Sequence, residues 1–242
     1  MAAILSTLAI LPLVGAAYQR DDAAMRIEIP LFHGFDDVDA IGPYEVLANA
    51  AVGVPGLDVA LVGAHEAGIV ASSHGARVVV DDVLSHRADM VIVPGGGWNG
   101  LRHYGFDADD AAEARASGIR RQHEDGRLAA RLADLHAGGT VVGSVCTGAI
   151  LLAQAGLLEG RPATTHRGNL DQLEQMGAVV DREARVVDDG DVLTCGGVTS
   201  GLDLALHIVE REWGAEAADR IAALMEHERR GPVRATERPP AR

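Results

Sequence analysis

Short apolar runs that end abruptly at glycine or other small residues constrain this chain more than any other feature. Residues 26–32 (RIEIPLF), 58–63 (DVALVG), 90–93 (MVIV), 140–145 (TVVGSV) and 192–194 (VLT) have the length and β-branched content of strands. A further run lies at 77–80 (RVVV). Several are apolar throughout, as strands buried on both faces are. Helix signals fall between them. Gly42-Pro43 predicts a helix opening through Glu45, Val46 and Leu47, with the proline where a missing N–H costs nothing. A small-residue helix is expected through Leu152 and Ala155. Another starts near Thr199 or Ser200 and carries Leu202, Leu204, Ala205 and Val209. Strands alternating with helices imply an α/β fold with a mostly parallel sheet covered by helices on both faces. In such sheets ligands collect beyond the carboxyl ends of the strands.

A length of 242 residues suits one sizeable domain, expected over residues 25–232. Residues 1–24 read as a non-structural extension. The apolar stretch 2–17 is too short to span a membrane and resembles the core of an export signal, but no Lys or Arg precedes it. Met25 stands directly before the first strand-like run, as a start codon would. Residues 233–242 are expected to be a loose tail. The segment 106–125, rich in Ala, Asp, Glu and Arg, reads as a solvated helical insertion with no apolar stripe. A net charge of −14 argues against nucleic acid as a partner, and no segment argues for a membrane. No His, Cys and Asp cluster has metal-ligand spacing, and no phosphate-binding or dinucleotide fingerprint occurs, so neither metal nor cofactor is expected.

The chemistry points to one thiol. There are two cysteines, Cys146 and Cys195. Gly143-Ser144-Val145-Cys146-Thr147-Gly148 places the first between a buried strand and a helix, with small residues on either side. A turn that tight lifts a nucleophile toward the mouth of the sheet. It also sets the sulfur at a helix N-terminus, where the free N–H groups favour an anion and can depress a thiol pKa. Charge developing on an attacked substrate needs donors aimed at it. The backbone N–H of Thr147 is one candidate, and Gly95 or Gly96, at the end of the neighbouring strand, is the second. Cys195 reads as packing.

Val93-Pro94-Gly95-Gly96, Ser144-Val145-Cys146-Thr147-Gly148 and Arg161-Pro162-Ala163-Thr164-Thr165-His166 together resemble the ThiJ/PfpI-like family of the class I glutamine amidotransferase-like superfamily. Within it, Asp39-Ala40-Ile41-Gly42-Pro43 is similar to the acidic segment after the first strand of isonitrile (isocyanide) hydratases. Ala71-Ser72-Ser73 is similar to their short hairpin, and residues 194–201 to their glycine loop. The resemblance implies a flavodoxin-like three-layer sandwich, Cys146 as nucleophile, Asp39 as the acid beside it, and His166 near the cysteine. It implies no cofactor, a small-molecule substrate, and a cytoplasmic homodimer. Thr147 stands where the protease-like branch carries His, which argues against a peptidase. Hydration of an isonitrile to an N-substituted formamide is the reaction implied. The alternatives are a ligand-sensing or stress-response role and a glyoxalase or deglycase acting on reactive carbonyls. Two features depart from the hydratase pattern: the stretch between Gly97 and Gly143 is longer, and residues 225–232 match only loosely.

Overall fold

The computed structural model describes residues 24–98 and 118–236. The central sheet has seven strands: β1 (Met25–Leu31), β2 (Leu57–Gly63), β5 (Met90–Val93), β6 (Val141–Ser144), β9 (Val186–Asp188), β10 (Val192–Cys195) and β11 (Val233–Ala235). Their spatial order is β11-β9-β10-β6-β5-β1-β2. The pairs β2–β1, β1–β5, β5–β6 and β6–β10 are parallel, and β10–β9 is antiparallel. The five parallel strands therefore follow the flavodoxin-like 2-1-3-4-5 order, whose switch point lies between β1 and β5. Ile27, Ile29, Val91, Ile92 and Val142 are wholly buried, which accounts for the continuous apolar runs. Each such side chain contributes about 1.5–3 kcal/mol by leaving water.

Helices flank the sheet in two groups. α1 (Asp37–Gly53), α6 (Ser200–Trp213) and α7 (Ala215–Leu224) pack on one another. α2 (Gly118–Asp125), α3 (Arg127–Ala137), α4 (Ala149–Gln154) and α5 (Leu170–Gln175) form the second group. A separate hairpin, β3 (Gly68–Ala71) with β4 (Arg77–Val80), docks on the loop after β1. There Gly34 N–H donates to Ala71 O at 2.9 Å and Ser73 N–H to Phe35 O at 2.8 Å. The strands β7 (Pro162–Ala163) and β8 (Val179–Val180) form a second small sheet.

Three expectations need correction. α1 does not open at Gly42-Pro43. It begins at Asp37, with Pro43 inside it. Asp37 in the first turn complements the helix dipole. The proline forfeits the hydrogen bond to the Asp39 carbonyl but packs its ring onto α6, where a Cβ on Gly201 would lie 3.0 Å from Pro43 Cγ. The second correction concerns 106–125: its end, Gly118–Asp125, is a core helix. Ile119 is wholly buried, and a Cβ on Gly118 would lie 2.3 Å from Gly34 O. A single buried isoleucine among charged neighbours leaves no stripe to read. Residues 106–117 lie outside the described residues, as do 1–23 and 237–242. Third, the expected loose tail starts with a strand. Val233 to Ala235 pair in parallel with Val186 to Asp188, so backbone hydrogen bonding orders residues whose side chains are exposed.

Candidate active site

Cys146 follows β6 by one residue and opens a 3₁₀ turn, Cys146–Gly148, that leads into α4. Its φ is +56°, a left-handed conformation that costs a residue with a side chain roughly 1–2 kcal/mol. Several hydrogen bonds hold it there. Cys146 N–H donates to Gly196 O at 3.1 Å, and the Thr165 hydroxyl donates to Cys146 O at 2.6 Å. Val145 N–H donates to Val93 O at 2.9 Å, joining the elbow to β5. Gly148 is required by that approach, since a Cβ there would lie 2.4 Å from Val93 O.

The acid comes from the other side of the switch point. Asp39, in the first turn of α1, is wholly buried. Its Oδ2 accepts the Gly95 N–H at 3.0 Å. Its Oδ1 is buried with no hydrogen-bond partner among the described residues. Gly95 sits where three side chains converge: a Cβ on it would be 2.4 Å from Asp39 Oδ2, 2.8 Å from Thr147 Oγ1 and 2.9 Å from Cys146 Cβ. Cys146, Asp39, Thr147, Gly95 and Gly96 are thus brought together.

Their roles differ in part from the expected ones. Gly95 N–H is engaged by Asp39, and Gly96 N–H donates to the Thr147 hydroxyl at 3.0 Å, so neither glycine offers a free oxyanion donor. The Thr147 hydroxyl donates in turn to Gly96 O at 2.6 Å and locks the elbow to the glycine turn. The donors that reach the sulfur are the backbone N–H groups of Val198 and Thr147. Val198, at the start of the approach to α6, also has a left-handed φ of +47°. The sulfur thus sits on one strained residue and is met by the N–H of another.

Burial dominates the electrostatics. It pushes the Cys146 thiol well above its ordinary range, and the neighbouring Asp39 charge adds to the rise against the pull of the Val198 and Thr147 N–H groups. The helix-terminus argument for a depressed thiol pKa is outweighed, because desolvation of a nearly enclosed anion costs more than those donors return. Burial likewise holds the Asp39 carboxyl well above the usual carboxylate range, helped by the charge of Asp36 and opposed by the Gly95 N–H and the Cys146 thiol. Both shifts act in the same direction, to keep protons on the pair. Cys195 is wholly buried and its thiol is also raised, chiefly by burial.

His166 stands one step away. Its ring packs on Gly197, where a Cβ would lie 2.4 Å from Cδ2, and its Nδ1 accepts Gly168 N–H at 3.1 Å. Its electrostatic influence falls on Asp36. Sequence reasoning missed Asp36, Thr165 and Val198. The three-residue spacing of Asp36 and Asp39 was a readable signal for the first. Nothing local marks Val198, which reaches the sulfur through the tertiary fold. Among the described residues no three His, Cys, Asp or Glu side chains gather in a way that would hold a metal ion.

This arrangement, an acid after β1, a glycine turn after β5 and a strained cysteine after β6, accompanies a family-wide match. The model of the DJ-1/PfpI family matches residues 25–104 and 116–211. The chain belongs to the DJ-1/PfpI family. Among curated DJ-1/PfpI relatives, an isonitrile hydratase from Pseudomonas putida is 31% identical over 206 residues, covering 84% of this chain and 79% of the relative. The HTH-type transcriptional regulator GlxA of Rhizobium meliloti is 32% identical over 158 residues, 64% of this chain and 43% of the regulator. A solved ThiJ/PfpI family protein from Pseudomonas syringae superposes with a TM-score of 0.71 at 25% identity, covering 96% of this chain and 84% of its own. No described helix is long and apolar enough to cross a membrane.

Proposed function

We propose that the protein is a cysteine-dependent hydro-lyase that adds water to an isonitrile and releases an N-substituted formamide. The observation that carries this reading is the buried Asp39 carboxyl beside Cys146, with one oxygen tied to Gly95 and the other unengaged among the described residues. Such a pair holds one proton, supplies one nucleophile and needs no further base. Thr147, in place of an adjacent histidine, leaves no second base for peptide cleavage. The isonitrile hydratase from Pseudomonas putida supports the substrate class.

In the first step the Cys146 sulfur bonds to the terminal carbon of R–NC, and the proton held by the Cys146–Asp39 pair passes to that carbon. The product is a thioimidate, R–N=CH–S–Cys146. Water then adds to the same carbon: Asp39 takes one of its protons and passes it to the nitrogen, giving R–NH–CH(OH)–S–Cys146. Cleavage of the C–S bond releases R–NH–CHO, and the hydroxyl proton returns to the pair. Overall, one isonitrile and one water become one formamide. The Val198 and Thr147 N–H groups stabilise the sulfur anion when it forms and when it leaves.

The match to GlxA favours a second reading, a ligand-sensing role without turnover. Under either reading we propose a homodimer in the cytoplasm, where two free thiols suit a reducing medium. Incubating the purified protein with a simple isocyanide and, separately, with methylglyoxal decides among the readings. Formamide release supports the hydratase. Consumption of methylglyoxal alone supports a glyoxalase, and consumption of neither supports the sensor.

A further inference from the structure

The residues that hold the cysteine elbow also form one wall of a second cleft, of about 560 Å³. Gly196, whose carbonyl accepts the Cys146 N–H at 3.1 Å, lines it, and so does Thr165, whose hydroxyl donates to Cys146 O at 2.6 Å. Val198 lines it too, and its N–H reaches the Cys146 sulfur, so the cleft adjoins the sulfur's own donor. His166, packed on Gly197, completes this wall.

The rest of the cleft is basic. Arg167, Arg182, Arg185 and Arg230 line it, with Glu183 the single acid among the described lining residues, in a chain whose net charge is −14. Backbone contacts fix the arrangement. Arg185 N–H donates to Pro232 O at 2.9 Å, and a Cβ on Gly231 would lie 2.8 Å from Arg185 Cβ, which sets the Arg230 segment against Arg185. Two of the four guanidiniums are already matched. Arg182 bonds Asp171 at 2.7 Å and Glu174 at 2.8 Å, while Arg185 bonds Asp203 and, at 3.1 Å, the Thr199 hydroxyl. The other two are not. Arg167 has no side-chain hydrogen bond or ion pair among the described residues, and Arg230 has an exposed ion pair to Glu228 at 3.8 Å, of a kind that contributes little.

We propose that this cleft binds a small monocarboxylate, held by the guanidiniums of Arg167 and Arg230. A planar guanidinium takes a carboxylate through two parallel hydrogen bonds. Two unmatched cations against Glu183 leave one positive charge, which suits a carboxylate better than a phosphate dianion. On the hydratase reading, and resting on it, the carboxylate belongs to the substrate: an isonitrile whose R group ends in a carboxyl group, hydrated to the matching N-formyl amino acid. The anion site itself does not rest on that reading.

Calorimetric titration of the full chain with N-formylglycine, and with N-formylglycinamide as its uncharged counterpart, tests the site. The acid should bind more tightly than the amide, and Arg167→Gln and Arg230→Gln should each weaken it about tenfold, as loss of a charge-assisted hydrogen bond does. Equal binding of acid and amide, or a double variant with wild-type affinity, would overturn the proposal. So would inorganic phosphate that binds more tightly than N-formylglycine and depends on the same two arginines. Turnover tests the substrate step. Isocyanoacetate should be hydrated in preference to methyl isocyanoacetate, and Arg167→Gln should lower the ratio of their kcat/KM values. An unchanged ratio removes the substrate assignment. Arginine-dependent binding of N-formylglycine by a protein that leaves isocyanides intact sinks the hydratase and keeps the cleft. Hydration of isocyanides without such binding does the reverse.

Discussion

Gly95 donates its amide N–H to the Asp39 carboxylate at 3.0 Å, and a single methyl on Gly95 would sit 2.4 Å from that same oxygen. The contact spans the switch point of the sheet, joining the loop after β5 to the first turn of α1. It ties Asp39 to the strand end beside Cys146. Gly95→Ala should therefore cost about 1–3 kcal/mol of stability by overpacking and displace the acid from the thiol. Thermal melting and isocyanide turnover check both effects. An alanine variant with wild-type turnover would show that Asp39 tolerates displacement.

Asp39→Asn preserves the shape of the side chain and its acceptor for Gly95 but cannot carry the proton. Turnover should fall about 10²–10⁴-fold with the fold intact. Circular dichroism beside activity measurements checks this. Full activity would reduce Asp39 to a helix-end residue.

The same substitution bears on stability against pH. The folded carboxyl of Asp39 titrates well above its ordinary value of 3.8. Below the ordinary value both folded and unfolded chains hold the proton, and the contribution is neutral. As pH rises past it, the unfolded chain ionises first while the folded chain keeps its proton, so stability falls as pH increases through that window. Asp39→Asn removes the penalty. Its melting temperature should match wild type at low pH and exceed it increasingly toward neutral pH. Parallel melting curves at all pH values would contradict the raised carboxyl.

Cys146 should be the thiol that labels, because it keeps 7% exposure while Cys195 has none. Its pKa is raised, so the alkylation rate should be low at neutral pH and climb through and beyond the ordinary thiol range. Peptide mapping after iodoacetamide treatment at stepped pH reads both the site and the profile. Preferential modification of Cys195 in folded protein would count against the elbow assignment.

Ile119→Ala should destabilise the domain by about 2–5 kcal/mol, since the residue is wholly buried in a helix that packs on α3 and α4. Denaturant unfolding measures it. A change below 1 kcal/mol, of the size expected for a surface residue, would restore the view of this helix as an insertion.

Local sequence was sufficient for the apolar strands β1, β2, β5, β6 and β10 and for the elbow, but not for the short strands β7, β8, β9 and β11. Strands buried on both faces must be continuously apolar, and a nucleophile turn must be small on both sides, so these features are written in consecutive residues. Asp39 and Thr147 were reachable because their positions follow a family motif. The start of α1 was not, because Gly-Pro signals a helix opening wherever it occurs, and only the packing of Pro43 against Gly201 lets the helix run through it. The core status of Ile119 escaped for a similar reason: one apolar residue has no periodicity.

What the amino-acid order determined by itself was the α/β class, the strand ends and the candidacy of Cys146, all of which depend on neighbours in the chain. The tertiary structure decided which N–H groups reach the sulfur and which way the thiol titrates. Val198 approaches Cys146 from the loop after β10, the strand next to β6, and Gly95 and Gly96 spend their donors on Asp39 and Thr147. Desolvation depends on everything packed around a group. No local spacing could have told that burial would override the helix terminus at Cys146.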